Sequence, residues 1–181
     1  MRRGFKAEAE RLSERVRADL GLASDAQLPL DLLAGTLGAE LRSAGDLIDV
    51  SRLAEIDQRQ PGAFSACTFE IGDRRVIVWN PLSSQGRRSS DIAHELSHLL
   101  LKHSVKDVHT VGGLTFFGCD PDEEQEANWL AGCLLLPRPL LVSQLRRGAT
   151  ADDLADRYEV SIQMANYRIR ATGVLRQVRR N

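Results

Sequence analysis

The chain has 181 residues, of which 43% are hydrophobic and 27% are charged, and its formal net charge is −1 at pH 7. This length suits one domain, or one domain with a small appendage, and the apolar content is enough for a sizeable core. Proteins whose main task is to bind nucleic acid are usually basic, so this balance argues against direct nucleic-acid binding.

The N-terminal segment and the cysteines indicate a cytoplasmic protein. The segment MRRGFKAEAERLSERV carries the positive charge of a signal peptide, but no apolar core follows it. No apolar run approaches the ~20 residues that a membrane-spanning helix needs, so we expect no membrane partner. Cys67, Cys119 and Cys133 are odd in number and widely spaced. This predicts free thiols rather than a disulfide framework or a CxxC zinc site.

The first part of the chain is predicted to fold as helices followed by a hairpin. Apolar residues at helical spacing predict helices over residues 5–19 and 28–38, and a short helix is expected near 50–56. Residues 64–70 alternate, with Phe64, Ala66 and Thr68 on one face, and Gly72-Asp73 is a turn sequence. Residues 75–79 then form a β-branched, apolar run. Residues 62–80 therefore predict a β-hairpin.

The rest of the chain is predicted to be mainly helical. A helix capped by Ser90 runs to about Lys102. A loop over 104–121, with a short strand at 114–117, leads to a helix over 122–136. Three further helices are predicted at residues 139–146, at 151–158 with Thr150 as cap, and at 162–172 with Ser161 as cap. The last two resemble a helix-turn-helix.

The segment IAHELSHLL, residues 92–100, carries the chemistry that the sequence indicates most strongly. On a helix, His94 and His98 lie one turn apart on the same face, so both imidazoles can bind one ion. Zinc accepts histidine nitrogens at ~2.0–2.1 Å and favours four ligands. Glu95 lies beside the first ligand, where a base can take a proton from metal-bound water. The motif therefore predicts a zinc hydrolase site with Glu95 as the catalytic base.

A catalytic zinc site needs a third protein ligand and a water. The candidates after the motif are His103, His109, Asp122, Glu123, Glu124 and Glu126. His103 is nine residues after His94, which on a helix turns its side chain to the opposite face, and His109 lies in the predicted loop. The acidic start of the next helix is the better source. The apolar stretch that follows it must pack against a neighbour, and the helix of His94 is the obvious one.

Several motifs together resemble the ImmA/IrrE family of bacterial metallopeptidases. HELSHLLLKH (94–103) and EQEANWLAGCLLLP (124–137) are similar to that family's HExxH helix and its ExEANxFA-type helix. The segment VIVWN (76–80) and the tail LADRYEVSIQMANYRIRATG (154–173) extend the resemblance to roughly residues 15–175. The two paired helical motifs are its specific part.

The resemblance implies an α+β fold. Residues 1–137 would form a zincin-like core with a small antiparallel sheet, the HExxH helix and a glutamate-bearing helix, and 138–181 a helical, HTH-like segment packed on it. It also implies a glutamate as third ligand of Zn²⁺, in a site that Mn²⁺ could also occupy. Other peptidases of this class show ExxxD, and Glu124 fits that spacing with Asn128 as support for a ligand histidine. Glu126 is the alternative ligand, and the i,i+4 geometry favours Glu124.

Members of this family characteristically cleave a helix-turn-helix repressor, often encoded nearby, and so relieve repression. The resemblance implies a regulatory endopeptidase of this kind, acting in a stress response or on a mobile element. The oxyanion of such a reaction needs a donor besides zinc, and His103, His109, Tyr158 and Tyr167 are the candidates. The alternative is a non-catalytic, zinc-stabilised interaction or antitoxin-like module that could bind DNA through its C-terminal helices.

Overall fold

The computed structural model describes residues 1–71, 74–103, 107–111, 114–118 and 120–178, with the backbone alone for 71, 107–111 and 114–118. The helices are α1 (Phe5–Asp19), α2 (Leu30–Thr36), α3 (Val50–Arg59), α4 (Gln85–Leu101), α5 (Pro121–Leu135), α6 (Arg138–Arg146), α7 (Ala151–Tyr158), α8 (Ile162–Thr172) and α9 (Leu175–Val178). The strands are β1 (Ala39–Ser43), β2 (Ala66–Ile71), β3 (Arg74–Trp79), β4 (Asp107–Val111) and β5 (Leu114–Gly118). None of the helices within these residues is long and apolar enough to span a bilayer.

Strands β1, β2 and β3 form a mixed sheet in the order β1-β3-β2. β2 is antiparallel to β3, as predicted for the hairpin, whereas β1 is parallel to β3 and pairs Leu41 with Ile77. β1 departs from the expected antiparallel arrangement because it enters from α2 rather than from a hairpin turn. Its sequence, AELRS, is too short and too polar to have predicted a strand. β2 pairs with β3 on one side and forms an edge of the described sheet, next to α4.

A second, two-stranded sheet replaces part of the loop predicted over 104–121. β4 and β5 are antiparallel and pair His109 with Phe116. The predicted strand at 114–117 corresponds to β5, whereas its partner β4 was not predicted. The sequence of β4, DVHTV, has too few apolar residues to distinguish a strand from a loop.

The start of α4 differs from the prediction. The helix begins at Gln85, whereas the sequence predicted Ser90 as its cap. Ser90 lies inside the helix, where its hydroxyl donates to the carbonyl of Gly86 at 2.9 Å. Gly86 packs so closely on the tail that an added Cβ would lie 2.4 Å from the carbonyl oxygen of Val160. The polar composition of this stretch favours a loop, but packing against the tail makes it helical.

Helices α4 and α5 pack side by side, with α1 against α5 and the sheet against α4. The buried residues that these elements share include Ile77, Ile92, Leu96, Leu130 and Leu134. Burial of apolar surface stabilises the fold by about 25 cal/mol for each Å² removed from water. This core therefore fixes the two helices that carry the predicted site residues.

The C-terminal helices pack on α4 and α5. One apolar cluster combines Ala93 of α4 and Ala131 of α5 with Leu140, Leu154 and Ile169 of the tail. It buries the inward faces of α6, α7 and α8 against the helices of the predicted site. The division at residue 137 stays a prediction.

A fully buried arginine joins α8 to α1 and to the end of α5. Arg168 donates to the carbonyl of Leu136 at 3.0 Å and to Oε1 of Glu10 at 2.7 Å. Gly132 leaves room for it, since an added Cβ there would lie 2.5 Å from Cδ of Arg168. A buried charge is tolerated only when it is paired, so Glu10 and Arg168 fix the position of the tail on the core.

Two of the cysteines are free thiols, as predicted. Cys67 is half-buried on β2 and Cys133 is buried in α5. Burial raises the pKa of both, in Cys133 to about 12, so these thiols stay protonated near neutral pH. Cys119 and the predicted turn at Gly72-Asp73 lie outside the described residues.

Candidate metal centre

Helix α4 places two imidazoles one turn apart. The face of the helix that carries Ile92, Ala93 and Leu96 is buried in the core, and His94 and His98 lie half-buried at its margin. Their Nε2 atoms are 3.0 Å apart, with the ring centroids 4.7 Å apart. Both imidazoles therefore direct the same nitrogen to one point.

Helix α5 brings a carboxylate to that point. It begins with Asp120, whose side chain accepts a backbone N–H of the first turn at 2.8 Å, and with Pro121 in its first position. Glu124 follows in the first turn. Its Oε2 lies 3.2 Å from Nε2 of His94, and its Oε1 lies 3.3 Å from Nε2 of His98. The packing of α5 on α4 thus completes a triangle of ligand-type atoms.

This triangle fits a metal ion. Its nitrogen–nitrogen and nitrogen–oxygen distances are 3.0, 3.2 and 3.3 Å. Tetrahedral zinc with ligands at ~2.0–2.1 Å separates such atoms by about 3.3 Å. Two imidazoles and a carboxylate suit a catalytic zinc with an open fourth position, and manganese accepts the same donors. Within the described part of the chain, His94, His98 and Glu124 form the group that can hold a metal ion.

Burial keeps the second imidazole neutral. Desolvation, followed by the neighbouring His94, lowers the pKa of His98 from 6.5 to about 4, against the opposing charge of Glu124. A metal binds the unprotonated nitrogen of a neutral imidazole. His98 is therefore in the protonation state that a ligand needs throughout the neutral pH range.

Asn128 contacts the first imidazole from the far side. Its Oδ1 lies 3.1 Å from Nδ1 of His94, one turn after Glu124 on α5. An Nδ1–H that donates to this amide oxygen leaves Nε2 of His94 as the ligand atom. This contact has the geometry that the Glu124/Asn128 spacing suggested, and the supporting role of Asn128 stays a prediction.

Glu126, the alternative ligand, is engaged elsewhere. Both of its carboxylate oxygens accept from Nε of Arg2 at 3.1 Å, and Oε1 also accepts from the backbone N–H of Arg2 at 2.8 Å. Burial alone would raise the pKa of Glu126, but the hydrogen bonds from Arg2 lower it overall. Residues two apart on a helix point in different directions, so Glu126 is turned away while Glu124 joins the triangle.

His103 lies beside His98, which corrects the prediction that it faces away from the motif. That prediction assumed a helix continuing through residue 103. Instead α4 ends at Leu101, and Lys102 adopts a left-handed conformation with φ 55° that folds the chain back. As a result, Nδ1 of His103 lies 3.1 Å from Nδ1 of His98. The His103 side chain is only 9% exposed and lies against the ring of His98.

Glu95 is held by a residue of the sheet. Oγ1 of Thr68 on β2 donates to Oε2 of Glu95 at 2.6 Å. Sequence reasoning missed this partner. The alternation of the hairpin put Thr68 on one face with Phe64 and Ala66, but it did not indicate which helix covers that face.

The other candidate hydrogen-bond donors to the oxyanion, Tyr158, Tyr167 and His109, lie in three different surroundings. Tyr158 is a buried core residue of α7. Tyr167 is partly exposed on α8, where it packs edge-on against Trp129 with ring centroids 5.9 Å apart. It lines a cavity of about 550 Å³ to which Asn128 also contributes. The backbone of His109 lies in β4, and its side chain is outside the described residues.

An α+β fold in which an HExxH helix and a glutamate-bearing helix converge on one point is the zincin-like arrangement of metallopeptidases. The model of one peptidase family, Peptidase_M78, the IrrE N-terminal-like domain, matches residues 51–170. The chain belongs to this family. The match confirms the resemblance to ImmA/IrrE proteins that the paired helical motifs indicated.

The overall fold is also similar to that of a solved structure, a Mycobacterium tuberculosis transcriptional regulator. The TM-score is 0.54 and the sequence identity 16%, over 90% of this chain and 46% of that one. The chain thus spans about half the length of this structural relative. No curated protein matches the chain significantly.

Proposed function

We propose that the chain is a zinc-dependent endopeptidase that cleaves a helix-turn-helix transcriptional repressor. The observation that carries the proposal is the approach of Glu124 to both Nε2 atoms of His94 and His98, at 3.2 and 3.3 Å, next to the carboxylate of Glu95. Metal-assisted peptide hydrolysis needs such a ligand set, an open coordination position and an adjacent base. Membership of a peptidase family supports the same activity.

Glu95 performs the proton transfers in this proposal. His94, His98 and Glu124 would hold the zinc ion, which would lower the pKa of a water toward ~7 and polarise the substrate carbonyl. Glu95 takes a proton from the attacking water and passes it to the leaving amine. Thr68 donates to Oε2 of Glu95, which orients the carboxylate and leaves Oε1 to carry the proton.

The edge strand β2 offers a place for an extended substrate. β2 pairs with β3 on one side only in the described sheet, and Thr68 in its middle contacts Glu95. A peptide that adds to the free side of β2 as a further strand would therefore run next to the base. Phe69, the next residue along β2, is 41% exposed and offers apolar surface to a substrate side chain.

We propose a repressor as the substrate because related and similar proteins act in transcriptional regulation. Members of the ImmA/IrrE family act on helix-turn-helix repressors, and the similar Mycobacterium tuberculosis protein is a transcriptional regulator. A narrow, regulatory specificity follows from this setting. We therefore expect cleavage of one repressor at one site and little activity on unfolded protein such as casein.

The test is cleavage of the helix-turn-helix repressor encoded next to this gene. The zinc-loaded protein is incubated with that repressor, and the products are identified by mass spectrometry. We expect cleavage at a single position, and we expect Glu95→Gln to reduce its rate by at least about 100-fold while the zinc content stays unchanged. A repressor left intact by the wild-type protein would overturn the proposal.

The structure bears on the alternative of DNA binding by the C-terminal helices. Helix α8 carries two arginines, Arg168 and Arg170, and Arg168 is fully buried and paired with Glu10. Arg168 is therefore not available to phosphate groups, and of these two arginines only Arg170 could contact them. The preceding helix, α7, is acidic in its first turn, which repels phosphate. These two observations favour the peptidase over a DNA-binding module.

A further inference from the structure

We propose that His103 is a positioning residue of the metal centre, which holds His98 through an Nδ1–Nδ1 hydrogen bond and so keeps Nε2 of His98 directed at the metal. The inference rests on the proposed function, because it requires a metal on His98. It explains why the chain turns back on itself after α4. It also assigns a role to Glu126, an acidic residue of α5 that stays outside the ligand triangle.

The turn after α4 is built so that His103 reaches back to the helix. Lys102 is in the left-handed region, and the backbone N–H of His103 donates to the carbonyl of His98 at 3.0 Å. The two rings lie 5.1 Å apart between centroids at an angle of 70°. A non-glycine residue with positive φ costs free energy, which the surrounding contacts must offset. The ring contact between His103 and His98 is one of those contacts.

The positions of the protons in this chain of contacts follow from the ligand role of His98. Nε2 of His98 must be unprotonated to bind a metal, so the neutral ring carries its proton on Nδ1. That proton is donated to Nδ1 of His103, which must then be the unprotonated nitrogen of its own ring. Neutral His103 consequently carries its proton on Nε2, on the side that faces Glu126.

Glu126 and Arg2 complete the chain of contacts. Oε2 of Glu126 lies 3.9 Å from Nε2 of His103, a charge contact too long for a hydrogen bond. The Glu126 side chain is 5% exposed and is fixed by three hydrogen bonds from Arg2. A fixed negative charge at this place favours the tautomer of His103 with its proton on Nε2. That tautomer is the one that can accept from His98.

Each ligand histidine thus has its own partner. Nδ1 of His94 faces the amide oxygen of Asn128, and Nδ1 of His98 faces Nδ1 of His103. A metal-binding histidine typically uses its second nitrogen in this way, and loss of such a partner weakens metal affinity by about 10- to 100-fold. The contact between His98 and His103 is therefore expected to have a measurable effect on metal binding.

The experiment compares zinc affinity in three proteins by competition with a chromogenic chelator: the wild type, His103→Leu and His103→Asn. Leucine removes the acceptor, so we expect about 10- to 100-fold weaker zinc binding. The amide oxygen of asparagine lies near the place of Nδ1 and can accept the same proton, so we expect His103→Asn to recover most of the loss. The d–d absorption of the Co²⁺-substituted proteins should change with Leu and return with Asn.

Circular dichroism and thermal melting of the metal-free proteins show whether each variant is folded. A second measurement needs no variant: long-range ¹H–¹⁵N NMR of zinc-loaded wild-type protein with ¹⁵N-labelled histidine should show His103 protonated on Nε2 only. A proton on Nδ1 of His103 would overturn the inference. So would zinc affinity in folded His103→Leu equal to that of the wild type, or the same loss in His103→Asn. A wild-type protein that binds no zinc would instead overturn the proposed function.

Discussion

The hydroxyl of Thr68 donates to Oε2 of Glu95 over 2.6 Å, and this contact joins the edge strand of the sheet to the helix that carries His94 and His98. The acceptor of this hydrogen bond is Glu95, the proposed base, which is not one of the three proposed metal ligands. The structure therefore allows the orientation of the base and the binding of the metal to be tested independently.

We expect Thr68→Val to lower the rate of repressor cleavage by about 10-fold with the zinc content unchanged. Valine has nearly the same shape as threonine but cannot donate, so the carboxylate of Glu95 loses its orientation, and small errors in the position of a base are costly. Thr68→Ser, which keeps the hydroxyl, is the matched control and should stay near the wild-type rate. A Thr68→Val protein as active as the wild type would show that Glu95 is positioned by other contacts.

The choice of Glu124 over Glu126 as third ligand leads to a second prediction. We expect Glu124→Gln to lower zinc affinity by at least about 100-fold, because a neutral amide replaces a charged ligand. Glu126→Gln should have a smaller effect, since Glu126 acts on the centre only through His103. Zinc content after dialysis against a weak chelator is the measurement. If Glu126→Gln loses the metal while Glu124→Gln keeps it, the two assignments are exchanged.

The close contact between α4 and the tail predicts a strong effect of one methyl group. An added Cβ at Gly86 would lie 2.4 Å from the backbone oxygen of Val160, which cannot move without shifting the α7–α8 turn. We expect Gly86→Ala to destabilise the protein by about 1–3 kcal/mol. For a chain of this size, each kcal/mol lowers Tm by about 2–4 °C, so differential scanning calorimetry can measure the change.

Gly35 in α2 provides the control for this substitution. Nothing lies within 4 Å of a Cβ added there, so Gly35→Ala should raise stability slightly, by about 0.4–1 kcal/mol, because alanine restricts the unfolded chain. Equal effects of the two substitutions would contradict the close approach of Val160 to Gly86.

The sequence predicted those features that depend on local spacing. His94 and His98 converge because residues four apart share a helix face, and α7 and α8 begin at the capping residues Thr150 and Ser161. For these features, local pattern and final structure agree. The approach of Glu124 to both histidines was implied by the family resemblance instead.

The sequence did not predict contacts that depend on how distant elements meet. His103 was expected to face away from His94 and His98. It reaches His98 because the helix ends at Leu101 and Lys102 then adopts a left-handed conformation. Thr68 meets Glu95 only after the hairpin has packed on α4. The helical turn before Ser90 forms because Gly86 packs against Val160, 74 positions further along the chain. Such tertiary contacts override the local preferences of polar residues.

The ion pair between the fully buried Arg168 and the partly buried Glu10 predicts that the tail is part of the folding unit. Removing one partner leaves the other as an uncompensated charge, which costs about 3–5 kcal/mol when the pair is buried. We expect Arg168→Met and Glu10→Gln each to lower the free energy of unfolding. The first removes the donor to Leu136, and the second leaves a fully buried guanidinium without its opposite charge. Urea denaturation measures both changes. The double variant should lose less than the sum of the two.

Below neutral pH, the stability of the metal-free protein should depend on the protonation of His98 and His103. The pKa of His98 is lowered from 6.5 to about 4, first by burial, and burial also lowers that of His103. As the pH falls below about 6.5, the unfolded chain takes up protons that the folded protein does not, so the free energy of unfolding decreases until the pH reaches about 4. Urea denaturation at intervals between pH 7.5 and pH 4 follows this loss.

The control for this pH dependence is His98→Asn, which should have a flatter profile between about pH 6.5 and pH 4. Hydrogen bonds from the backbone N–H groups of Ser51 and Thr150 lower the pKa of Asp49 and Asp153 below 3.8, and their contribution to stability is lost only at still lower pH. The effects of histidines and carboxylates therefore separate along the pH axis. Bound zinc should oppose the histidine effect, because it requires unprotonated imidazoles. A stability profile that is the same with and without zinc would mean that the ion is not held by His98.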